Sequence, residues 1–378
     1  MGPNWDKDNC HPEWSSSESN GNGEPPPLVP IHSAFRRDGI ERPSNNVMGA
    51  IGYYCTDFIT PIVGNLVQEL TEDANIICAA VRYAFHDNVD DDDDADNDDD
   101  GNGGVVGGET KRNDAAVVAY AVTTHPGHHA SCDCFGGYCY LNNAALCARL
   151  MQHRIGTGKS ILIGGSNDND NISIGESIRR YWDEPKQQLQ QPCRVAILDV
   201  DYHVGNGTAS IFYNDPNVLV ISIHCDPEID YPWNSGFADQ IGAGDGMGTT
   251  LHIPLPQGAS WNEEDGNGVD EGEGGGGAYK MALHKAMSAI VQFDPRALVV
   301  SLGLDTYDGD NVAVNRGGFK LHGTDYYEMG MFMGKHMKGR NVPCVFVQEG
   351  GYKMDVVGDA AADVVGGYAI GVGDGTVG

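Results

Sequence analysis

The chain lacks any stretch near the ~18 consecutive apolar residues that a membrane-spanning helix needs. A transmembrane protein is therefore not expected. Its opening, MGPNWDKDNCHPEW, has neither a basic nor an apolar segment, so no secretory signal is expected and the compartment reads as intracellular, cytoplasmic or nuclear. Basic residues are scarce: 23 Lys and Arg face 54 Asp and Glu, a formal net charge of −31. Binding nucleic-acid phosphates needs a basic surface, so direct nucleic-acid binding is not expected. The balance suits a cationic substrate, although an acidic surface without substrate meaning is the commoner cause. Ten cysteines occur without a CxxC pair. That argues against a structural zinc cluster and for reduced, mostly buried thiols.

What is present suffices for a sizeable core: 378 residues, 40 % of them hydrophobic. Residues 1–45, rich in Ser, Asn, Gly and Pro, read as a flexible leader, and 46–378 as a single domain. Acidic or low-complexity insertions are expected at about 86–114, 158–192 and 263–277. The first carries the run DNVDDDDDADNDDD, which lacks the ligand spacing of a calcium loop. Thr60-Pro61 reads as the start of a helix reaching about Phe85.

Between the insertions, short β-branched runs alternate with helical segments. The runs are 117–122, 195–200, 218–223, 297–302 and 344–347; the helical segments are 141–153, 278–293 and 324–337. Nearly continuous apolar runs suit strands buried on both faces. The alternation predicts an α/β fold, an open parallel β-sheet flanked by helices on both faces. Such sheets place their sites at the C-terminal ends of the strands.

Five runs end in residues that do chemistry. They lead to His128-His129, to Asp199-Val-Asp201-Tyr-His203, to His224-Cys-Asp226, to Asp305 and to Glu-Gly-Gly-Tyr352. Asp201 and His203, two apart at a strand end, point to one side and can share a metal, with Asp305 as a third ligand. Two carboxylates and an imidazole suit zinc with an open position, and other divalent metals, iron included, tolerate the set. Adjacent His128 and His129 do not easily bind one metal together; general base and general acid is their better use. Asp199 and Asn206 are candidate acceptors for their second nitrogens. Tyr352, after two glycines, is placed to donate to a developing oxyanion.

These motifs, HPGHHA with FGGYCYLNNAA, ILDVDYHVGNGT, SLGLDTYDGD and EGGY, together resemble the zinc-dependent histone deacetylase superfamily, of arginase–deacetylase fold. The segment HCDPEIDYPWNSGFADQIGAGDGMGTT and GAIGYYC look closer to its acetylpolyamine amidohydrolase branch. The resemblance covers roughly residues 47–375. It implies one zinc held by Asp201, His203 and Asp305, with His129 as main general base, His128 as its electrostatic or acid partner and Tyr352 polarising the amide carbonyl. It implies that Asp199 orients His128 and, with Ser222, Ile223 and the backbone of Asp201 and His203, binds a structural potassium ion. Gly137, Tyr138 and Tyr231 match the walls of a narrow acyl tunnel. The implied reaction removes acetyl groups from acetylated amines through a metal-activated water.

Four departures stand out. Val204 replaces a second histidine that usually follows the ligand, and Thr124-His125 stands where the family usually has Arg-Pro. A first strand and a pocket-rim loop have no counterpart in residues 1–45. Acidic residues of the polyamine branch are matched by Met48 and Ile59. The leading expectation is a small acetylated amine of the acetylpolyamine type, with acetyl-lysine in protein, histones included, as the alternative. A degenerate metal-binding or interaction protein is a third reading. An arginase-like dinuclear manganese centre lacks its further ligands. The oligomeric state stays open, a homodimer among the options.

Overall fold

The computed structural model describes residues 54–57, 60–85, 117–158, 193–262, 276–313 and 317–373. The leader, Met48, Ile59 and nearly all of the three expected insertions lie outside the described residues, as does any strand preceding Tyr54.

Six strands form one sheet: β1 (Val118–Ala121), β2 (Val195–Asp199), β3 (Val218–Cys225), β4 (Thr250–Leu255), β5 (Ala297–Leu302) and β6 (Cys344–Gln348). Their order is β1-β6-β5-β2-β3-β4, and every pair is parallel. Among the described residues six α-helices accompany them: α1 (Leu66–Ala84), α2 (Asn143–Thr157), α3 (Asn206–Phe212), α4 (Ala278–Phe293), α5 (Gly323–Met337) and α6 (Val357–Val372).

The central strands are apolar on both faces because each face has its own helical cover. In β2, Ala196 and Leu198 join a core with α4, α5 and α6, while Val195 and Ile197 join one with α1, α2 and α3. The alternation follows from the two-residue period of a strand. The five apolar runs of the sequence are thus all strands, and the parallel sheet covered on both faces is the architecture expected from them.

Three elements escaped the pattern. β4, TLHIPL, is an edge strand whose Thr250, His252 and Pro254 break the apolar run; a proline is tolerated at an edge. α3 is only seven residues long. α6 is rich in glycine, which lowers helix propensity, yet its glycines pack it tightly on α5. A Cβ at Gly367 or Gly371 would meet the Tyr327 or Met331 carbonyl of α5.

The helix start at Thr60-Pro61 is corrected: α1 begins at Leu66, after Asn65. Thr60 instead bonds Asp57, through its amide to Oδ1 at 2.9 Å and through its hydroxyl to Oδ2 at 3.0 Å. α2 is capped as a helix should be. Asn142 Oδ1 accepts from the Ala145 amide at 2.8 Å, and Gly158 closes the helix at φ 72°. Among the described residues no helix is long and apolar enough to cross a membrane. The described cysteines are in the thiol form and most are buried.

Candidate metal centre and active site

The loop between β1 and α2 carries His128 and His129 with almost no regular structure, so its backbone polar groups need side-chain partners. Two buried carboxylates supply them. Asp73 of α1 accepts from the Thr124 and His125 amides at 2.6 and 3.3 Å. Glu349, just past β6, accepts from the Gly127 and His128 amides at 2.6 and 3.0 Å and from the Ser301 hydroxyl at 3.1 Å. Burial pushes the Glu349 carboxyl up to about 7, against the pull of His128. Asn142 and Asn143 Nδ2 donate to the Ala130 and His125 carbonyls. The departure at Thr124-His125 has a structural consequence here: the His125 ring lies between Asp73 Oδ2 at 3.1 Å and Glu69 Oε2 at 3.3 Å.

The two histidine rings touch at a tilt of 43°, with centroids 4.0 Å apart, but their partners differ. His128 Nδ1 meets Asp199 Oδ2 at 2.9 Å; His129 Nδ1 meets Asn206 Oδ1 at 2.7 Å. Burial alone would depress His128, yet Asp201, Asp199 and Glu349 hold it well above the usual histidine value. Burial and the charges of His128 and His203 press His129 well below it. The surroundings thereby favour the cation at His128 and the neutral ring at His129. With Nδ1–H directed at Asn206, the His129 Nε2 keeps its lone pair.

Asp201, His203 and Asp305 offer ligand atoms within 4.8 Å of one another. The expectation that strand alternation aligns Asp201 with His203 is corrected: β2 ends at Asp199 and a bend follows. Side chains build that bend. The Asp201 amide donates to Asp199 Oδ1 at 3.0 Å, the His203 amide to Asp201 Oδ1 at 2.8 Å and the Tyr202 amide to Asp305 Oδ1 at 2.9 Å. Gly303 and Gly350 leave no room for a Cβ beside Asp201. His203 Nδ1 lies 2.9 Å from Asp305 Oδ2 and 3.3 Å from Asp201 Oδ1. Burial and the charge of Asp201 push Asp305 up to about 7. Against burial, the two aspartates raise His203 to about 10. Two buried carboxylates that repel, joined by an imidazole edge, form the donor set of a divalent cation, and zinc fits it.

Tyr352 is anchored through its backbone. Its amide donates to Asp310 Oδ2 at 2.7 Å, and Asn311 Nδ2 donates to its carbonyl at 2.7 Å. Burial, then the charges of Asp305 and Asp201, raise the phenol far above its usual range, so it is a hydroxyl donor at any working pH. The expected tunnel residues gather around these groups. The Tyr231 ring meets the His129 ring edge-on at 4.9 Å, and Tyr138 meets Tyr352 edge-on at 6.2 Å. A Cβ at Gly137, where φ is 57°, would run into the His129 ring.

Asp199 and Ser222 are register partners on β2 and β3. Ser222 Oγ contacts His224 Nδ1 at 2.9 Å and the Gly205 amide at 3.4 Å, and Ile223 is buried. The polar end of β3 does not join the centre: His224 Nε2 meets the Gly236 carbonyl at 2.9 Å, and Asp226 Oδ1 accepts from the Glu228 amide. What β3 contributes is the following loop, which carries Tyr231. Sequence reasoning missed Asp57, Asp73, Asp310 and Glu349 as supports of the site. Asp310 and Glu349 adjoin glycines and Asp73 lies inside a helix, which was their only signal, and Asp57 in CTDF had none.

A family model described as the histone deacetylase domain matches residues 58–163 and 181–368. Acetylpolyamine amidohydrolase 2 of Pseudomonas aeruginosa is 31 % identical over 341 residues, 90 % of this chain and 74 % of that protein. Acetylpolyamine amidohydrolase 1 of the same organism is 31 % identical over 88 % of this chain and 71 % of its own. The crystal structure of acetylpolyamine aminohydrolase from Burkholderia pseudomallei superposes with a TM-score of 0.60 at 26 % identity, covering 91 % of this chain and 74 % of that one. The match spans the loops that bear the paired histidines, the Asp-His-Asp cluster and the anchored tyrosine, and on this basis the chain belongs to the histone deacetylase family and is a hydrolase of it.

Proposed function

We propose that the chain is a zinc-dependent amidohydrolase that releases acetate from small acetylated amines of the polyamine type. One observation carries this reading. His129, whose surroundings favour the neutral ring, and His128, whose surroundings favour the cation, lie ring to ring beside the Asp201–His203–Asp305 cluster, and burial with the charges of Asp305 and Asp201 keeps the Tyr352 phenol protonated. The names of the similar bacterial proteins favour a small amine, as does the net charge of −31, which draws cations.

Asp201, His203 and Asp305 would hold the zinc, which would supply Lewis acidity toward an acetamide carbonyl and the attacking water. His129 takes the water's proton at Nε2. Tyr352 donates its hydroxyl proton in a hydrogen bond to the developing oxyanion, a contact commonly worth ~10²–10³ in rate. His128 holds a positive charge beside that oxyanion, kept there by Asp199. The proton gained by His129 passes to the leaving amine, and acetate and free amine depart. Asp199, Ser222, Ile223 and the backbone of Asp201 and His203 are the groups we assign to a structural potassium ion behind the histidines.

Competition between N-acetylputrescine and an acetyl-lysine peptide, on zinc-loaded protein, tests the substrate class. Preference for the small amine supports the reading. Preference for the peptide moves the assignment to protein acetyl-lysine. Hydrolysis of neither above an Asp201→Ala control overturns it.

A further inference from the structure

Asp57 lies one residue before the segment that matches the family, and its carboxylate gathers the whole tunnel wall. Its Oδ2 accepts from the Gly137 amide at 2.5 Å, from the Thr60 hydroxyl at 3.0 Å and from the Tyr231 phenol at 3.4 Å. Its Oδ1 accepts from the Thr60 amide at 2.9 Å. The Thr60 hydroxyl oxygen in turn accepts from the Tyr138 amide at 3.1 Å. The three residues that face the reacting groups, Gly137, Tyr138 and Tyr231, thus hang from one carboxylate, directly or through one hydroxyl.

The backbone gives an independent sign that this tether does something. Gly137 and Tyr138 are both left-handed, at φ 57° and 64°. Glycine adopts that conformation freely; a tyrosine does so at a cost of ~1 kcal/mol or more, which the surroundings must offset. The consecutive amides of this turn find their acceptors on one pair, Gly137 on Asp57 Oδ2 and Tyr138 on Thr60 Oγ. The turn that pair fixes sets Gly137 against the His129 ring on one side and Tyr138 against Tyr352 on another. The same carboxylate holds Tyr231 edge-on to His129.

We propose that Asp57 is a positioning residue that sets the width of the acyl pocket, so that the chain accepts an acetyl group and rejects longer acyl groups. The proposal rests on the deacetylase reading above. The physical basis is that a pocket discriminates a methylene only as well as its walls resist displacement, and discrimination of about tenfold or more per methylene needs rigid walls. Four donors, carried by the three residues Gly137, Tyr231 and Thr60 that form or hold the walls, meet the two carboxylate oxygens. An asparagine offers one acceptor oxygen and places an amine against donors.

The test compares wild type, Asp57→Asn and Tyr231→Phe. Rates on N-acetyl, N-propionyl and N-butyryl forms of one amine give the acyl selectivity, and amide hydrogen exchange reports on residues 135–139. Asp57→Asn is expected to lower the acetyl-to-butyryl ratio of kcat/KM at least about fivefold and to speed exchange across the turn. Tyr231→Phe, which removes one donor and leaves the turn held, is expected to lower the ratio less and leave exchange unchanged. An equal loss on all three substrates, or unchanged exchange in Asp57→Asn, overturns the proposal. A wild-type chain that hydrolyses none of the three overturns the deacetylase reading instead, and the exchange result alone then decides whether Asp57 holds the turn.

Discussion

The Nδ1 of His129 lies 2.7 Å from the amide oxygen of Asn206, a neutral partner, while the adjacent His128 faces the carboxylate of Asp199. This difference in partner divides the pair into a base and a cation. Burial would depress both rings equally; the three carboxylates around His128 reverse the effect there and not at His129.

The first consequence is a shift in pH dependence. Asn206→Asp places a carboxylate on His129 and stabilises its protonated form. The base is then lost at a higher pH than in wild type. The acid limb of kcat/KM is expected to move upward by at least about one pH unit, the scale of one buried opposite charge. An unmoved limb in a pH–rate profile contradicts the assignment of His129 as base.

Tyr352→Phe removes only the phenol oxygen, since the backbone is held by Asp310 and Asn311. The expected loss is ~10²–10³ in kcat, with zinc content and melting temperature nearly unchanged. Steady-state kinetics beside metal analysis checks it. A comparable loss of bound zinc points to a structural role instead.

Burial and the charge of Asp201 push the Asp305 carboxyl up to about 7 in the folded chain, above ~3.9 for an unfolded aspartate. The folded chain therefore binds this proton more tightly. The stability this confers is complete below about pH 4 and is lost as pH rises through 7. In chelator-treated protein, Asp305→Asn is expected to gain on wild type across that window, by a few kcal/mol at most. With zinc present the order reverses, because the variant lacks a ligand. Thermal melts from pH 4 to 8, with and without zinc, read both effects. A wild-type-to-variant gap that ignores pH in the chelated protein contradicts the charge-repulsion account.

Asp73→Ala strands the Thr124 and His125 amides and removes one partner of the His125 ring. An unsatisfied donor costs ~1–3 kcal/mol when buried, and these two are part-buried. A drop in stability of about 1–3 kcal/mol is expected on that basis, with reduced kcat because the histidine loop loses its hold. Denaturant titration measures it. A loss below about 0.5 kcal/mol means that water serves those amides instead.

The sheet was legible because its central strands are apolar on both faces, a pattern that only helices on both sides explain. Its edge was not, since β4 alternates and holds a proline. α6 was hidden by its glycines, whose value lies in contact with α5 and not in local propensity. The reacting groups at the site were legible as residue types at strand ends. Their convergence was read for a partly wrong reason: Asp201 and His203 meet through a side-chain-built bend, beyond the end of β2. The supports were illegible. Nothing local in TEDAN marks Asp73 as the acceptor for a loop fifty residues on, and nothing in CTDF links Asp57 to Gly137 and Tyr231.

The most direct test of the central claim is acetate released from N-acetylputrescine by protein reconstituted with one zinc per chain. Multiple turnovers by wild type, with Asp201→Ala binding little zinc and releasing no acetate, are the expected result. Stoichiometric zinc in wild type without acetate release from this or any other acetylated amine would contradict the account.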